Sequence, residues 1–158
     1  MTVGRIVTVV SLLAILCPGR GTAGQRPNSV LPHLTRIEDI RALSQDGSAL
    51  GYPVRIRGIV THFDEIAHST LVVHDGASGQ FVLPPANPSQ AGDWNSLKAG
   101  DHIEIEGHTV RGGFAPNVVP DKVRKLGRAP LPPGRTIAHS AMLTGRYDCD
   151  YVEIAGVV

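Results

Sequence analysis

The chain has 158 residues, 42% of them hydrophobic and 18% charged, with 15 Lys+Arg against 14 Asp+Glu. That balance excludes a disordered polymer and a strongly basic protein that coats nucleic acid. With 18 Gly and 12 Pro, it also argues against a fold built on long helices.

The N-terminus reads as a targeting segment. Arg5 supplies the positive start, Ile6–Cys17 is an uncharged apolar run, and Gly21-Thr22-Ala23 offers small residues to a signal peptidase. The run is too short for a membrane span, which needs roughly 20 apolar residues. The bulky Leu16 before Cys17 argues against a lipoprotein signal. The expectation is a signal peptide over 1–23, cleaved near Ala23, and an exported protein on the periplasmic or extracytoplasmic face of the inner membrane. Cleavage removes Arg5 and Arg20, so Lys+Arg falls from 15 to 13 against 14 Asp+Glu and the mature net charge is −1. Cys17 leaves as well, and the remaining Cys149 can form no internal disulfide.

Residues 24–34 read as a linker, broken by Gly24, Pro27 and Pro32. Thr35 and Glu38 are spaced as a capping box, and Ile37, Ile40 and Leu43 fall on one face of a short helix. From 53 onward the period becomes two. A first strand from Pro53 to about Phe63 alternates Val54 and Ile56 with Arg55 and Arg57, with Gly58 expected to shift the phase at a bulge. Asp64–Ser69 is a loop, Leu71–His74 a second strand, Asp75–Gly79 a turn and Gln80–Leu83 a third strand. The long connection 84–100 has one helical turn near Asp93–Lys98. A fourth strand over Ile103 and Ile105 ends at Gly107, and a fifth over Val118–Leu126 is broken at Pro120.

Five strands, a glycine-bent first strand and a long connection between the third and fourth are the order of an OB-fold barrel, mainly β with a short preceding helix. In that fold the first strand also pairs with the fourth. Arg55 and Arg57 would then face Glu104 and Glu106 across the pair.

This module occupies 35–128. A proline-rich linker, 129–135, follows, and then the opening pattern returns: Val54-Arg55-Ile56-Arg57-Gly58-Ile59-Val60 is echoed by Val152-Glu153-Ile154-Ala155-Gly156-Val157-Val158. Residues 136–158 therefore read as an incomplete second module, and the chain as a fragment or a truncated product.

The segments LTRIEDIRALS, GYPVRIRGIVTHFD, LVVHDGASGQFV, LKAGDHIEIEGHTVRGGFAPNVV and LGRAPLPP resemble the OB-like modules found, often in tandem, in the N-terminal extracytoplasmic part of bacterial sensor histidine kinases. The resemblance covers about 35–158. It implies an input region ahead of a membrane span and a kinase core, neither of which is in this sequence, so that membrane contact would come only through a missing C-terminal span. It carries no catalytic residues and no cofactor.

The most suggestive polar cluster is His62, Asp64, Glu65, His68, His74 and Asp75. Imidazole and carboxylate suit a divalent ion, but the spacing matches no metal motif, and His62, His68 and His74 are weak candidates beside a solvated loop. No nucleophile elbow or P-loop occurs. Nucleic acid would require aromatic platforms and a basic groove; only Phe81 is expected on the sheet surface. The reading is a non-enzymatic, exported ligand-binding or sensory module. Its contact rim is His62, Asp64, His68, Phe81, Arg111 and Phe114, and its partner a small molecule, a glycan or an extracytoplasmic domain. The competing readings are a free-standing periplasmic oligosaccharide or nucleic-acid binder, and a metal-dependent enzyme using His62, His68 and His74.

Overall fold

The computed structural model describes residues 30–156. The expected signal peptide, the start of the linker and Val157–Val158 lie outside the described residues. Two short helices, α1 (Ile37–Arg41) and α2 (Gln45–Ser48), precede five strands: β1 (Pro53–Phe63), β2 (Leu71–His74), β3 (Gly79–Val82), β4 (Asp101–Val110) and β5 (Asn117–Arg128). The strands pair in the order β1-β2-β3-β5-β4, and β4 returns to β1 to close a barrel. All contacts between neighbours are antiparallel except β3 on β5, a narrow parallel contact at Val82 and Val118. This is the five-stranded OB-type barrel that the strand order predicts.

The interior follows from the alternation. Val54, Ile56 and Val60 of β1 meet Leu71, Val73, Val82, Ile103, Ile105, Val118 and Val123, all buried, with Ile37 and Ile40 of α1 added from outside the barrel. Trp94 is completely buried on the long connection, in a 3-10 turn over Trp94–Ser96. Its ring meets Phe63 edge-on at 5.6 Å, and its Nε1 donates to the His68 carbonyl at 3.3 Å.

Several local expectations give way to tertiary contacts. The capping box does not form: Asp75, from the β2–β3 turn, accepts from the Ile37 amide at 3.2 Å, and Glu38 pairs with Arg36 instead. Gly58 does not shift the phase. Val54, Ile56, Gly58 and Val60 all point inward, and the irregularity falls between Val60 and His62. Gly58 is there for space, since a Cβ would lie 2.7 Å from the His74 carbonyl oxygen and from Val73. β4 runs on past Gly107, and β5 runs through Pro120. The two sit opposite one another at a register shift, where a Cβ on Gly107 would lie 2.2 Å from the Val119 carbonyl oxygen. A bulge absorbs a proline that lacks the N–H of a regular ladder.

The C-terminal segment contributes β6 (Arg135–Thr136), α3 (His139–Met142) and β7 (Val152–Glu153), with β6 parallel to β7. The strand expected over 152–158 is two residues long among the described residues, because its partner β6 is equally short. The segment rests on the barrel. Arg41 Nη1 donates to the Asp148 carbonyl at 2.7 Å, and the Gly79 amide donates to Asp150 Oδ1 at 3.0 Å. Its hydrogen bonding repeats that of the module's opening. Leu34 lies parallel on Val54, with Leu34 N donating to Pro53 O at 2.8 Å, and Arg135 lies parallel on Val152, with Arg135 N donating to Tyr151 O at 3.0 Å.

Candidate functional site

The residues expected to form a rim are distributed among three places. At the first, Asp64 closes its own loop. Oδ1 accepts from the amides of Ile66 and Ala67, and Oδ2 from the Ser69 hydroxyl at 2.8 Å. The Ala67 amide first, then Ser69 and Ile66, hold this carboxyl below its ordinary pKa. His68 sits in the left-handed region at φ 51°, its ring between Asn95 Oδ1 at 3.1 Å and the Glu65 carbonyl at 2.9 Å. This loop is thus built from its own polar groups and packed on the Trp94 turn.

The second place is the outer face of β2 and β3, where Phe81 is half-buried opposite Val72. Phe63 and Trp94 are in the core, so Phe81 has no second aromatic beside it on that face among the described residues. The third is the β4–β5 connection. Arg111 pairs with Asp46 of α2, and the Phe114 carbonyl accepts from Gln45 Nε2 at 3.2 Å.

His62, His68 and His74 are not brought together. His62 is exposed at the end of β1, His68 precedes β2, and His74 ends it, with its Nδ1 accepting from the Gly76 amide at 3.0 Å. Among the described residues no group of three or more His, Cys, Asp or Glu side chains is placed to hold a metal ion. β2 separates two of the three imidazoles, which sequence proximity cannot reveal.

What the structure does assemble is a cavity of about 380 Å³ between Phe114 and the C-terminal segment, bounded by Ile137, Met142, Leu143, Tyr147 and Val152. Phe114 is 69% exposed and Leu143 81%. The Phe114 ring lies over Gly145, where a Cβ would meet it at 2.1 Å. Thr144 and Asp148 give the wall two polar groups. Its volume falls within the range of small-molecule sites, roughly 300–1,000 Å³, and it has their mixture of apolar wall and few polar groups. Of the rim expected from sequence, only Phe114 belongs to it. The others lie in a segment with too little periodicity to mark as a wall.

A second assembly is the charge ladder. The register sets Arg55 opposite Glu106 and Arg57 opposite Glu104, as the alternation predicts. β5 adds Arg124 beside Glu104, which the sequence did not disclose. Glu104 is only 3% exposed and accepts from Arg57 Nε at 2.7 Å, Arg55 Nη2 at 3.2 Å and Arg124. Hydrogen bonds from Arg57 and then Arg55 outweigh burial and bring its pKa down from 4.5 to about 2.

The strand order, the irregularity between Val60 and His62 of the first strand and the closing β1–β4 pair define the class: an OB-like barrel. No protein-family model matches the chain, and no curated protein does. Among solved structures it is similar to the hypothetical protein ygiW from E. coli, at 18% identity and a TM-score of 0.42, covering 63% of this chain and 94% of that one. It is also similar to asparaginyl-tRNA synthetase from Pyrococcus horikoshii, at 15% identity and 0.42, covering 50% of this chain and 20% of that one. A third is the OBody AM1L10 bound to hen egg-white lysozyme, at 18% identity and 0.42, covering 50% and 82%. The barrel is defined by its own strand order and register.

Proposed function

We propose that the chain is an exported, non-enzymatic binding module, the input region of a bacterial signalling protein of the sensor histidine kinase type. Its ligand is a small molecule with an apolar body and a group that hydrogen-bonds to Asp148 or Thr144. The observation that carries this reading is the cavity between Phe114 and the C-terminal segment, where exposed apolar side chains surround a space of about 380 Å³. An exposed aromatic and an exposed leucine facing one cavity are costly to leave in water and inexpensive to cover with a ligand. The export expectation rests on residues 1–23, and the signalling expectation on the resemblance of 35–158 to tandem input modules. The repeated parallel bridge, Leu34 on Val54 and Arg135 on Val152, supports reading 136–158 as the opening of a second module. On that reading the ligand lies where two modules meet.

The test uses the mature chain and the neutral dye N-phenyl-1-naphthylamine, whose emission rises in apolar surroundings. Saturable binding is expected, with loss in Leu143→Asp and in Phe114→Ala and displacement by the natural ligand. Binding that both variants retain, or emission that never saturates, contradicts the site. Secretion with a new N-terminus near Gly24 is expected when the chain is expressed in a bacterium; uncleaved cytoplasmic protein contradicts export.

A further inference from the structure

The outer face of β1, β4 and β5 carries two rungs of charge, Arg57–Glu104–Arg124 and Arg55–Glu106–Lys122, each a cation, an anion and a cation in register. Four positive groups face two negative ones. The buried Glu104 carboxylate gathers three guanidinium groups that would otherwise repel one another, Arg57 and Arg124 of its own rung and Arg55 of the next. The arginine side chains remain 51%, 61% and 55% exposed at positions 55, 57 and 124. Glu104 takes one N–H from each, and a guanidinium carries five. Most donors are therefore still directed to solvent, on side chains whose positions are already fixed.

Two depressions flank Arg55. One, of about 60 Å³, is bounded by Glu104, Glu106, Lys122 and Arg124; the other, of about 290 Å³, by Thr35, Arg57 and Glu104. We propose that this face binds a doubly charged tetrahedral oxyanion, phosphate or sulfate, seated beside Arg55 and held by Arg124 and Lys122, which line the same depression. The excess of two positive charges matches the charge of such an anion. The guanidinium fork matches its geometry, and Glu104 pre-organises the donors so that little side-chain entropy is lost on binding. A nucleic-acid strand would need stacking platforms, and the two rungs contain no aromatic residue. The site lies on the face formed by β1, β4 and β5, away from the cavity at Phe114, and stands independently of the ligand proposed there.

The test titrates the full chain calorimetrically with inorganic phosphate, with sulfate and with glycerol phosphate, against sodium chloride at matched ionic strength. Saturable binding in roughly the millimolar range is expected for the divalent anions and none for chloride. Tighter binding of glycerol phosphate than of inorganic phosphate identifies an ester as the source, and equal or weaker binding identifies the free anion. Lys122→Glu removes the charge excess without touching the groups that hold Glu104, and should weaken binding at least about tenfold. Arg124→Gln should do the same, and Trp94 fluorescence reports whether it folds. Phosphate heats indistinguishable from chloride, or full affinity in Lys122→Glu, overturn the proposal whether or not Arg124→Gln is stable.

Discussion

Glu104 shows how one side chain can fix a barrel's pH response. Its pKa of about 2, against an ordinary 4.5, is set first by the hydrogen bond from Arg57, then by that from Arg55, with burial opposing and Arg124 adding. A depressed folded-state pKa stabilises the fold fully above the unfolded value, and that stabilisation is lost as the pH falls towards the folded one. Stability should therefore decline between pH 4.5 and about 2, with the single tryptophan reporting unfolding in urea. Glu104→Gln should be less stable than wild type at neutral pH and lose less on acidification across that window. Some slope should remain from Asp101. Burial works to raise its pKa, but Lys125, the Lys98 amide and Arg128 together bring it below the ordinary value. Equal slopes in wild type and variant would place the acid sensitivity elsewhere. Cys149 is shifted the opposite way: burial first, then Asp148, pushes its thiol up to about 12, so this cysteine is a poor nucleophile at neutral pH.

Among the elements, the strands were legible and their joints were not. Alternation placed β1 and β2 and set Arg55 and Arg57 across from Glu104 and Glu106, because a half-buried strand writes its two faces into the sequence with period two. The cap of α1 was not legible, since its acceptor, Asp75, lies 38 residues away. Gly107, expected to end β4, and Pro120, expected to break β5, are two halves of one bulge; only the pairing shows that they coincide. Trp94 was read as part of a connection because a 3-10 turn has no apolar period to betray a core residue. The cavity was visible in Phe114 alone, since its other walls come from a segment whose docking depends on distant contacts. Gly79 makes that docking testable: a Cβ there would lie 1.7 Å from the Cys149 carbonyl oxygen, a backbone atom that cannot rotate away. Gly79→Ala should lift residues 137–156 from the barrel. Limited proteolysis should then cut within that segment while the barrel keeps its cooperative transition, because none of the core cluster comes from it. Unchanged protection of 137–156 would mean that the contact at Gly79 does not hold the segment.

At the scale of the whole molecule, a closed barrel presents two surfaces with chemistry of their own, the cavity at Phe114 and the arginine face over Glu104. The core of Val, Ile and Leu side chains with Trp94 dominates folding; the arginine face over Glu104 adds to the barrel's stability while leaving its guanidinium groups exposed, and the apolar cavity at Phe114 lies outside the core cluster. No helix among the described residues is long and apolar enough to cross a membrane. We propose that ligand binds at the junction of the β4–β5 connection and the C-terminal segment. Amide chemical-shift mapping of the isotopically labelled mature chain, titrated with N-phenyl-1-naphthylamine, tests it most directly. Saturable shifts are expected at Phe114, Ile137, residues 142–148 and Val152, with the β2–β3 face unmoved. Shifts centred on Val72 and Phe81, or on the His62–Ser69 loop, with the Phe114 junction silent, would contradict it.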